Sequence, residues 1–137
     1  MKRKILGFTL IELIVVVIVI GLLATMAIPQ YMKATERALT AKAKNAMGLI
    51  AQAEKMYKAE NDTYINSATG NLNAAAPNGF GDYMELSEID TDTKWTYAVV
   101  GGTSTFTITA TRTAPTSDPG TITLTESGVW GGTRQLK

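Results

Sequence analysis

The sequence contains neither cysteine nor histidine, and this removes several kinds of chemistry at the outset. Without cysteine, an exported domain has no disulfide bonds to stabilise it. Without histidine, Ser-His-Asp and Cys-His catalytic systems are excluded, as are zinc sites built from histidine and cysteine. Catalysis by this chain would have to rest on paired carboxylates, as in a glycosidase.

Charge is nearly absent from residues 8–28, where the only clearly polar side chains are Thr9, Glu12 and Thr25. A helix rises about 1.5 Å per residue, so these 21 residues cover roughly 30 Å. This length matches the hydrocarbon core of a bilayer. The run therefore predicts a membrane-spanning helix.

Acidic residues are also absent from residues 1–7, which contain Lys2, Arg3 and Lys4. The positive-inside rule then places the N-terminus in the cytoplasm and sends the polar remainder of the chain across the membrane. Removing these three residues from the thirteen basic ones leaves ten against twelve acidic residues. Composition therefore gives no sign of general nucleic-acid binding.

Glu12 is the unusual residue of the apolar run, because a carboxylate in such surroundings is costly unless it has a partner. In one interpretation, Glu12 lies near the end of the helix and reaches water at the interface. The other interpretation depends on a cut between Gly7 and Phe8. Such a cut would create an amine at Phe8, about one helical turn from Glu12, and neighbouring copies could then neutralise each other.

The residues KRKILG, ending at Gly7, and the following FTLIELIVVVIVIGLLATMAIPQY resemble the type III signal segment of type IV pilins and of type II secretion pseudopilins. The shared features are a basic leader, Gly followed by Phe, a glutamate as the fifth residue after the cut, and the helix-breaking Gly21 and Pro29. Beyond this segment the chain resembles the superfamily only in its layout.

The resemblance implies that a membrane prepilin peptidase cleaves after Gly7 and N-methylates Phe8. It also implies that Glu12 pairs with the Phe8 amine of an adjacent subunit and sets the register of a helical filament. The segment between Gly21 and Pro29 would lose helicity in that filament and allow it to stretch. An assembly platform and an ATPase motor would act on the subunit, and no cofactor or small-molecule substrate is implied.

The helical pattern continues past the apolar run. Residues 31–58 contain no proline, so we predict a nearly continuous helix over residues 8–60, stopped by Asn61 and Asp62. Pro29 removes one backbone hydrogen bond, so a mild kink in an intact helix is the alternative to loss of helicity there.

Apolar residues recur in the second half of this helix at spacings of three, four and seven, which predicts one buried stripe. The predicted stripe contains Met32, Leu39, Ala43, Ala46, Ile50, Ala53 and Tyr57. The charged residues expected on the other faces are Lys33, Glu36, Arg37, Lys42, Lys44, Glu54, Lys55 and Lys58.

Residues 61–94 are rich in turn-forming residues and predict a connection between helix and sheet, with a short helical turn over residues 87–90. Residues 82–92 contain five acidic residues with no basic residue before Lys94, namely Asp82, Glu85, Glu88, Asp90 and Asp92. Three interpretations stay open. The acids form a solvated face, a patch that meets the basic helix of the next subunit, or a calcium site. That site would use Glu85, Glu88, Asp90 and Asp92, although their spacing is not that of an EF-hand.

Apolar and polar residues alternate in residues 95–137, as they do in strands. Gly101 and Gly102 predict the turn of a hairpin. Its inward positions are Trp95, Tyr97 and Val99 in one strand and Phe106, Ile108 and Ala110 in the other. A third strand begins at Ile122 and Leu124, and a turn leads from it to Val129 and Trp130. The predicted fold class is α+β, with the long helix packed on a small antiparallel sheet of three to four strands, the pilin fold.

These predictions divide the chain into a cleaved basic leader, the transmembrane and assembly half of the helix, and an exported head. The three parts are residues 1–7, 8–30 and 31–137, and the head comprises an amphipathic helix (31–60), a loop (61–94) and the sheet (95–137).

The function implied by the resemblance is structural: a subunit, most like a type IV major pilin, that polymerises into a pilus after cleavage. The precursor would cross the cytoplasmic membrane once, and the mature form would be extracellular. The alternatives are the major pseudopilin of type II secretion, which forms a short periplasmic piston, and a minor pilin. Pseudopilins resemble one another in a motif of proline, tryptophan, glycine and tyrosine before the sheet and in a calcium loop. This chain has Lys94-Trp95-Thr96-Tyr97 without proline or glycine there, which favours a type IV pilin.

Two alternatives come from other classes of protein. The first is a membrane-tethered hydrolase or receptor that uses the apolar run only as an anchor, with the acidic residues supplying any catalysis. The second is a DNA-binding role along the helix, which carries six basic residues against two acidic ones over residues 33–58. We expect the protein not to be an enzyme.

Overall fold

The computed structural model describes residues 7–67, 72, 80–84, 89, 91–113 and 120–134. The elements are, in order, helix α1 (Leu10–Asn61), a 3₁₀ helix (Phe80–Asp82), and strands β1 (Trp95–Gly101), β2 (Phe106–Arg112), β3 (Thr121–Thr125) and β4 (Trp130–Gly131). The chain forms two compact units, Met1–Ala38 and Leu39–Lys137, and α1 contributes residues to both.

Helix α1 confirms the predicted long helix, with bounds of Leu10–Asn61 in place of residues 8–60. It continues through Pro29. It ends because Asp62 adopts a left-handed conformation with φ of 57°, which aspartate tolerates better than most residues. The Asp62 N–H donates to the Lys58 carbonyl at 3.0 Å, and the Lys58 ammonium donates to the Asp62 carbonyl. The predicted stop at Asn61 and Asp62 is therefore confirmed.

The second unit has its core between the C-terminal part of α1 and one face of the sheet. The helix contributes the predicted stripe residues Ala43, Ala46, Ile50, Ala53 and Tyr57, together with Met47. The sheet contributes the predicted inward positions Trp95, Tyr97, Val99, Phe106, Ile108 and Ala110, together with Ile122 and Leu124 of the predicted third strand. The amphipathic helix therefore forms one wall of the core.

Three helix positions differ from the predicted pattern, and one of them, Leu39 of the predicted stripe, is only partly buried. Met32 was predicted in the stripe but is 58% exposed, because it lies in the first unit, where the apolar side chains of α1 are uncovered. Glu54 was predicted on an outer face but is completely buried. Its spacing of four from Ile50 and three from Tyr57 places it on the buried face, and only its charge argued for exposure.

The sheet is antiparallel with strand order β1-β2-β3-β4, which confirms the predicted fold class. Strands β1 and β2 form the predicted hairpin, with Trp95 opposite Arg112 and Gly101 opposite Phe106. Strands β3 and β4 follow as predicted, with Leu124 opposite Trp130. The inward side chains alternate with outward threonines, which suit both a strand and water.

Residues 62–67, which we call the strap, follow α1 and run along the edge of β1. The Tyr64 N–H donates to the Gly102 carbonyl at 2.9 Å, and Ser67 and Val99 exchange two backbone hydrogen bonds of 2.9 Å. A side chain at position 101 would collide with the Ile65 carbonyl, so this close approach requires glycine. The strap thereby covers an edge strand that would otherwise present unpaired backbone groups.

The predicted loop over residues 61–94 contains the 3₁₀ helix, which the sequence did not predict. Phe80, the first residue of this helix, is fully buried in the core of the second unit. The helical turn predicted over residues 87–90 lies outside the described residues except for Ile89, which is buried.

Candidate functional site

The first turn of α1 is closed by reciprocal hydrogen bonds between Thr9 and Glu12. Glu12 Oε2 accepts from the Thr9 N–H at 2.9 Å and from Thr9 Oγ1 at 2.7 Å. Thr9 Oγ1 in turn accepts from the Glu12 N–H at 3.3 Å. This arrangement is a capping box, in which a threonine before the helix and a glutamate three residues later satisfy backbone N–H groups at the helix start.

The capping box gives the Glu12 carboxylate partners within its own chain. The N-terminus of a helix also carries a partial positive charge, which stabilises an anion there. Both bonds from Thr9 use Oε2, and Oε1 accepts no hydrogen bond from any residue that the structure describes. One oxygen therefore holds the helix start, while the other is available to a donor from outside the chain.

Thr9 is a site residue that the sequence analysis missed. The prediction allowed Glu12 only two environments, water at the interface or an amine from another copy. The signal was present in the spacing Thr-x-x-Glu over residues 9–12, which is the sequence signature of a capping box before an apolar run.

Gly7 and Phe8, the predicted cleavage pair, lie just outside the helix in irregular backbone. Both residues are exposed, and Phe8 is 90% exposed. Proteases cut exposed, non-helical segments most readily. The helix starts at Leu10, so the predicted cleavage pair lies outside it.

The apolar side chains of α1 in the first unit are exposed in the described part of the chain. The exposure extends all around the helix, with Leu22 at 65%, Leu23 at 63% and Met26 at 74%. Within the described residues, α1 is a helix long and apolar enough to cross a membrane, and its apolar window is not buried against the rest of the chain. A helix that is apolar on all sides is stable in lipid or among other apolar helices.

Gly21 and Pro29 both lie inside the continuous helix. Pro29 has no N–H, so the Thr25 carbonyl one turn earlier lacks its usual helical donor. The Thr25 hydroxyl donates to the Leu22 carbonyl at 2.7 Å, which keeps that polar side chain satisfied within the helix. Loss of helicity between Gly21 and Pro29 in a filament stays a prediction.

Of the four residues of the predicted calcium site, only Asp92 lies within the described residues. Its carboxylate forms an ion pair with the Lys42 ammonium at 3.6 Å and accepts the Lys94 N–H at 2.8 Å. Glu85, Glu88 and Asp90 lie outside the described residues. Within the described part of the chain, no three acidic residues come together as a metal site.

The capped apolar helix and the small antiparallel sheet together define a pilin-like α+β protein. Residues 2–28 match the family model described as the prokaryotic N-terminal methylation motif. The chain is 41% identical over 69 residues to type II secretion system core protein G of Pseudomonas aeruginosa, covering 50% of this chain and 49% of that protein.

Two further relatives come from pili. The chain is 42% identical over 62 residues to the type IV major pilin protein PilA of Myxococcus xanthus, covering 45% of this chain and 28% of that protein. It is 40% identical over 74 residues to the type IV major fimbrial protein FimA of Dichelobacter nodosus, covering 51% of this chain and 47% of that protein.

These similarities confirm the resemblance to the superfamily of type IV pilins and type II secretion pseudopilins that the first residues predict. The matched segments span about half the length of the relatives or less. No solved structure is significantly similar to the chain.

Replacing Thr9 by valine is expected to loosen the first turn of α1. Valine keeps the shape of threonine but cannot donate to Glu12 or accept from it, and loss of such a cap costs about 1 kcal/mol. Amide exchange at Ile11, Glu12 and Leu13 in detergent micelles should become about fivefold faster. The Thr9→Ser variant, which keeps the hydroxyl, should exchange like the unaltered chain. Equal rates for the valine and serine variants would show that the hydroxyl does not hold the helix start.

Proposed function

We propose that this protein is a structural subunit that polymerises into a type IV pilus after cleavage between Gly7 and Phe8 and N-methylation of Phe8. The observation that carries the proposal is the placement of the Glu12 carboxylate. It lies at the N-terminal tip of an apolar helix, one turn from the proposed new amine, with Oε1 directed to no donor among the described residues.

The capping box and an intersubunit ion pair are compatible. Oε2 already holds Thr9, so the amine of a neighbouring Phe8 can bind Oε1 without opening the helix start. A charge-assisted hydrogen bond of this kind is strong in apolar surroundings. Glu12 would thus serve two partners at once, its own Thr9 and the next subunit.

The exposed apolar part of α1 supports both the membrane and the filament stage of this proposal. In the precursor it would cross the cytoplasmic membrane with the N-terminus inside, as the basic leader predicts. In the filament the same side chains would contact the helices of other copies. The helix exchanges one apolar environment for another, so specificity must come from close packing and from the Glu12 pair.

The partners that follow from this proposal are other copies of the chain, a prepilin peptidase, an assembly platform and an ATPase motor. We propose no catalytic role and no small-molecule substrate for the subunit. The mature protein would lie in an extracellular pilus.

The second candidate function is the major pseudopilin of a type II secretion system, with a minor pilin as a further alternative. The similarity to type II secretion system core protein G favours the pseudopilin. The residues before the sheet favour the pilus, since Lys94-Trp95-Thr96-Tyr97 lacks the proline and glycine of the pseudopilin motif. Trp95 and Tyr97 are buried core residues of β1 here.

Electron microscopy of material sheared from cells with and without this protein tests the proposal. We expect long surface fibres that disappear with the protein, and mass spectrometry of the fibres should show an N-terminus at methylated Phe8. A periplasmic product together with lost secretion would favour the pseudopilin. Fibre subunits that retain residues 1–7 would contradict both candidates.

A further inference from the structure

Glu54 lies on α1 beneath the strap, and its side chain is completely buried. Its Oε2 accepts a hydrogen bond from the Ile65 N–H at 2.9 Å. Its Oε1 is also buried and has no hydrogen-bond partner in the described part of the chain. A carboxyl group with one donor and no counter-ion is far less costly to bury in its neutral form than as an anion.

The charged groups around Glu54 do not offset the cost of its ionisation. Lys58 lies one turn further along α1, but its ammonium donates to the Asp62 carbonyl and lies 5.8 Å from the centre of the Tyr64 ring. Tyr64 lies on the strap, and the acidic groups whose charges act on it are Glu54 on α1 and Glu126 in the turn after β3. The pKa of Tyr64 is raised first by desolvation and then by the charges of Glu126 and Glu54.

Burial raises the pKa of Glu54 from 4.5 to about 7, although the hydrogen bond from Ile65 acts to lower it. Glu54 therefore changes its protonation near neutral pH while the strap is closed. If the strap opened, the carboxyl would reach water and its pKa would fall towards the ordinary value. Ionisation thus favours the open strap.

The strap is held to the sheet by the buried side chain of Ile65, the ring of Tyr64 and backbone hydrogen bonds, so opening must also expose Ile65. The Tyr64 ring packs edge-on against Phe106 with 5.0 Å between the ring centres. The backbone bonds are those from Tyr64 to Gly102 and between Ser67 and Val99. Opening would break these bonds and leave the backbone of β1 exposed as a sheet edge, while the pairing of β1 with β2 stays intact.

We propose that Glu54 is a pH-sensitive latch, which holds the strap closed over the edge of β1 when it is neutral and releases the strap when it ionises. The closed state is favoured most below pH 4.5. This advantage is lost as the pH rises through about 7, because the closed strap binds the proton more tightly than the open one. The latch acts within a single subunit, so it holds whether or not the protein polymerises.

Amide exchange of the full chain in non-ionic detergent micelles, measured by NMR at about pH 5.5 and about pH 8.5, tests the latch. Each rate is divided by the intrinsic rate at that pH. We expect the protection of the Ile65, Ser67 and Val99 amides to fall roughly tenfold or more at the higher pH. The amides of β2 should keep their protection at the higher pH.

The Glu54→Gln variant keeps the size of the side chain and removes the titration, so its strap should be equally protected at both pH values. The matched control is Glu60→Gln, also on α1, where the exposed carboxylate accepts a hydrogen bond from the Tyr83 hydroxyl at 2.7 Å. This control should keep the pH response of the unaltered chain.

Equal strap protection at both pH values in the unaltered chain would overturn the proposal. An unchanged pH response in Glu54→Gln would overturn it as well. If that variant fails to fold, the unaltered chain still tests the latch, because the change in protection between the two pH values can be compared for strap amides and β2 amides. A parallel loss in both would indicate global unfolding and not a latch.

Discussion

The Glu12→Val variant should be inserted in the membrane and cleaved after Gly7, yet yield almost no fibre. Valine suits the apolar helix, so insertion is retained, but it offers no oxygen to the Phe8 amine of the next copy. Removing one partner of a buried ion pair costs about 3–5 kcal/mol. We therefore expect at least about a hundredfold less sheared fibre. Immunoblots of the sheared and membrane fractions measure assembly. The mass of the subunit in each fraction shows whether residues 1–7 have been removed.

The Glu12→Gln variant separates the two roles of this side chain. Glutamine can replace glutamate in a capping box, but it carries no charge for the amine. We expect it to retain the helix start and still to assemble poorly. Thr25→Val is the matched control, because Thr25 is also polar within the apolar part of α1 and its hydroxyl donates to the Leu22 carbonyl of the same helix. Normal fibre from the glutamine variant would show that Glu12 acts as a cap and not as an ion pair.

The Trp95→Ala variant should lose most of the stability of the second unit. Trp95 is 1% exposed, and the Arg112 and Arg134 guanidinium carbons lie 5.5 Å and 5.3 Å from the centre of its ring. Truncating a buried tryptophan costs about 3–5 kcal/mol. This is a large part of the marginal stability of a small domain. Pulse proteolysis across a urea series in detergent measures this loss of stability when cleavage within the second unit is followed.

The other tryptophan of the chain provides the control. Trp130 is 42% exposed on β4, and its ring lies 4.9 Å from the Lys44 ammonium. An exposed contact of this kind contributes about 0.5–1 kcal/mol. Trp130→Ala should therefore shift the urea midpoint of unfolding only slightly. Similar losses for the two variants would mean that the core is not centred on β1.

The sequence predicted the fold well where a local pattern repeats over many residues. The apolar run, the absence of proline over residues 31–58 and the stripe through Ala43, Ile50 and Tyr57 were enough to predict α1 to within two residues at each end. Alternation of apolar and polar residues likewise predicted the hairpin around Gly101. These patterns work because burial on one face imposes the period of the element.

The errors came from residues whose environment depends on distant parts of the chain. Glu54 was assigned to the surface by its charge, but the strap begins directly after the end of α1, docks on β1 and donates the Ile65 N–H to Glu54. The periodic pattern extended to Met32, although the core of the second unit does not reach that far. Local patterns do not report which segment will cover a given face.

At the candidate site the sequence predicted an assembly role for Glu12, which stays a prediction, and missed its nearest partner. From the sequence, Glu12 is an unpaired carboxylate in an apolar run. The predicted partner was therefore an amine from a second copy of the chain. The capping box with Thr9 shows that the carboxylate is part of the helix start as well. The capping role and the proposed ion pair both fit its place three residues after the N-cap, where backbone donors and the positive end of the helix dipole meet.

In the proposed filament, Glu12 joins one subunit to the Phe8 amine of the next. A high-resolution structure of the purified fibre tests it most directly. We predict Glu12 Oε1 within about 3 Å of a methylated Phe8 nitrogen from a neighbouring copy, with Oε2 still bonded to Thr9. A fibre in which the nearest Phe8 amine lies beyond ion-pair distance, with the Glu12 carboxylate bonded only to its own Thr9, would contradict the account.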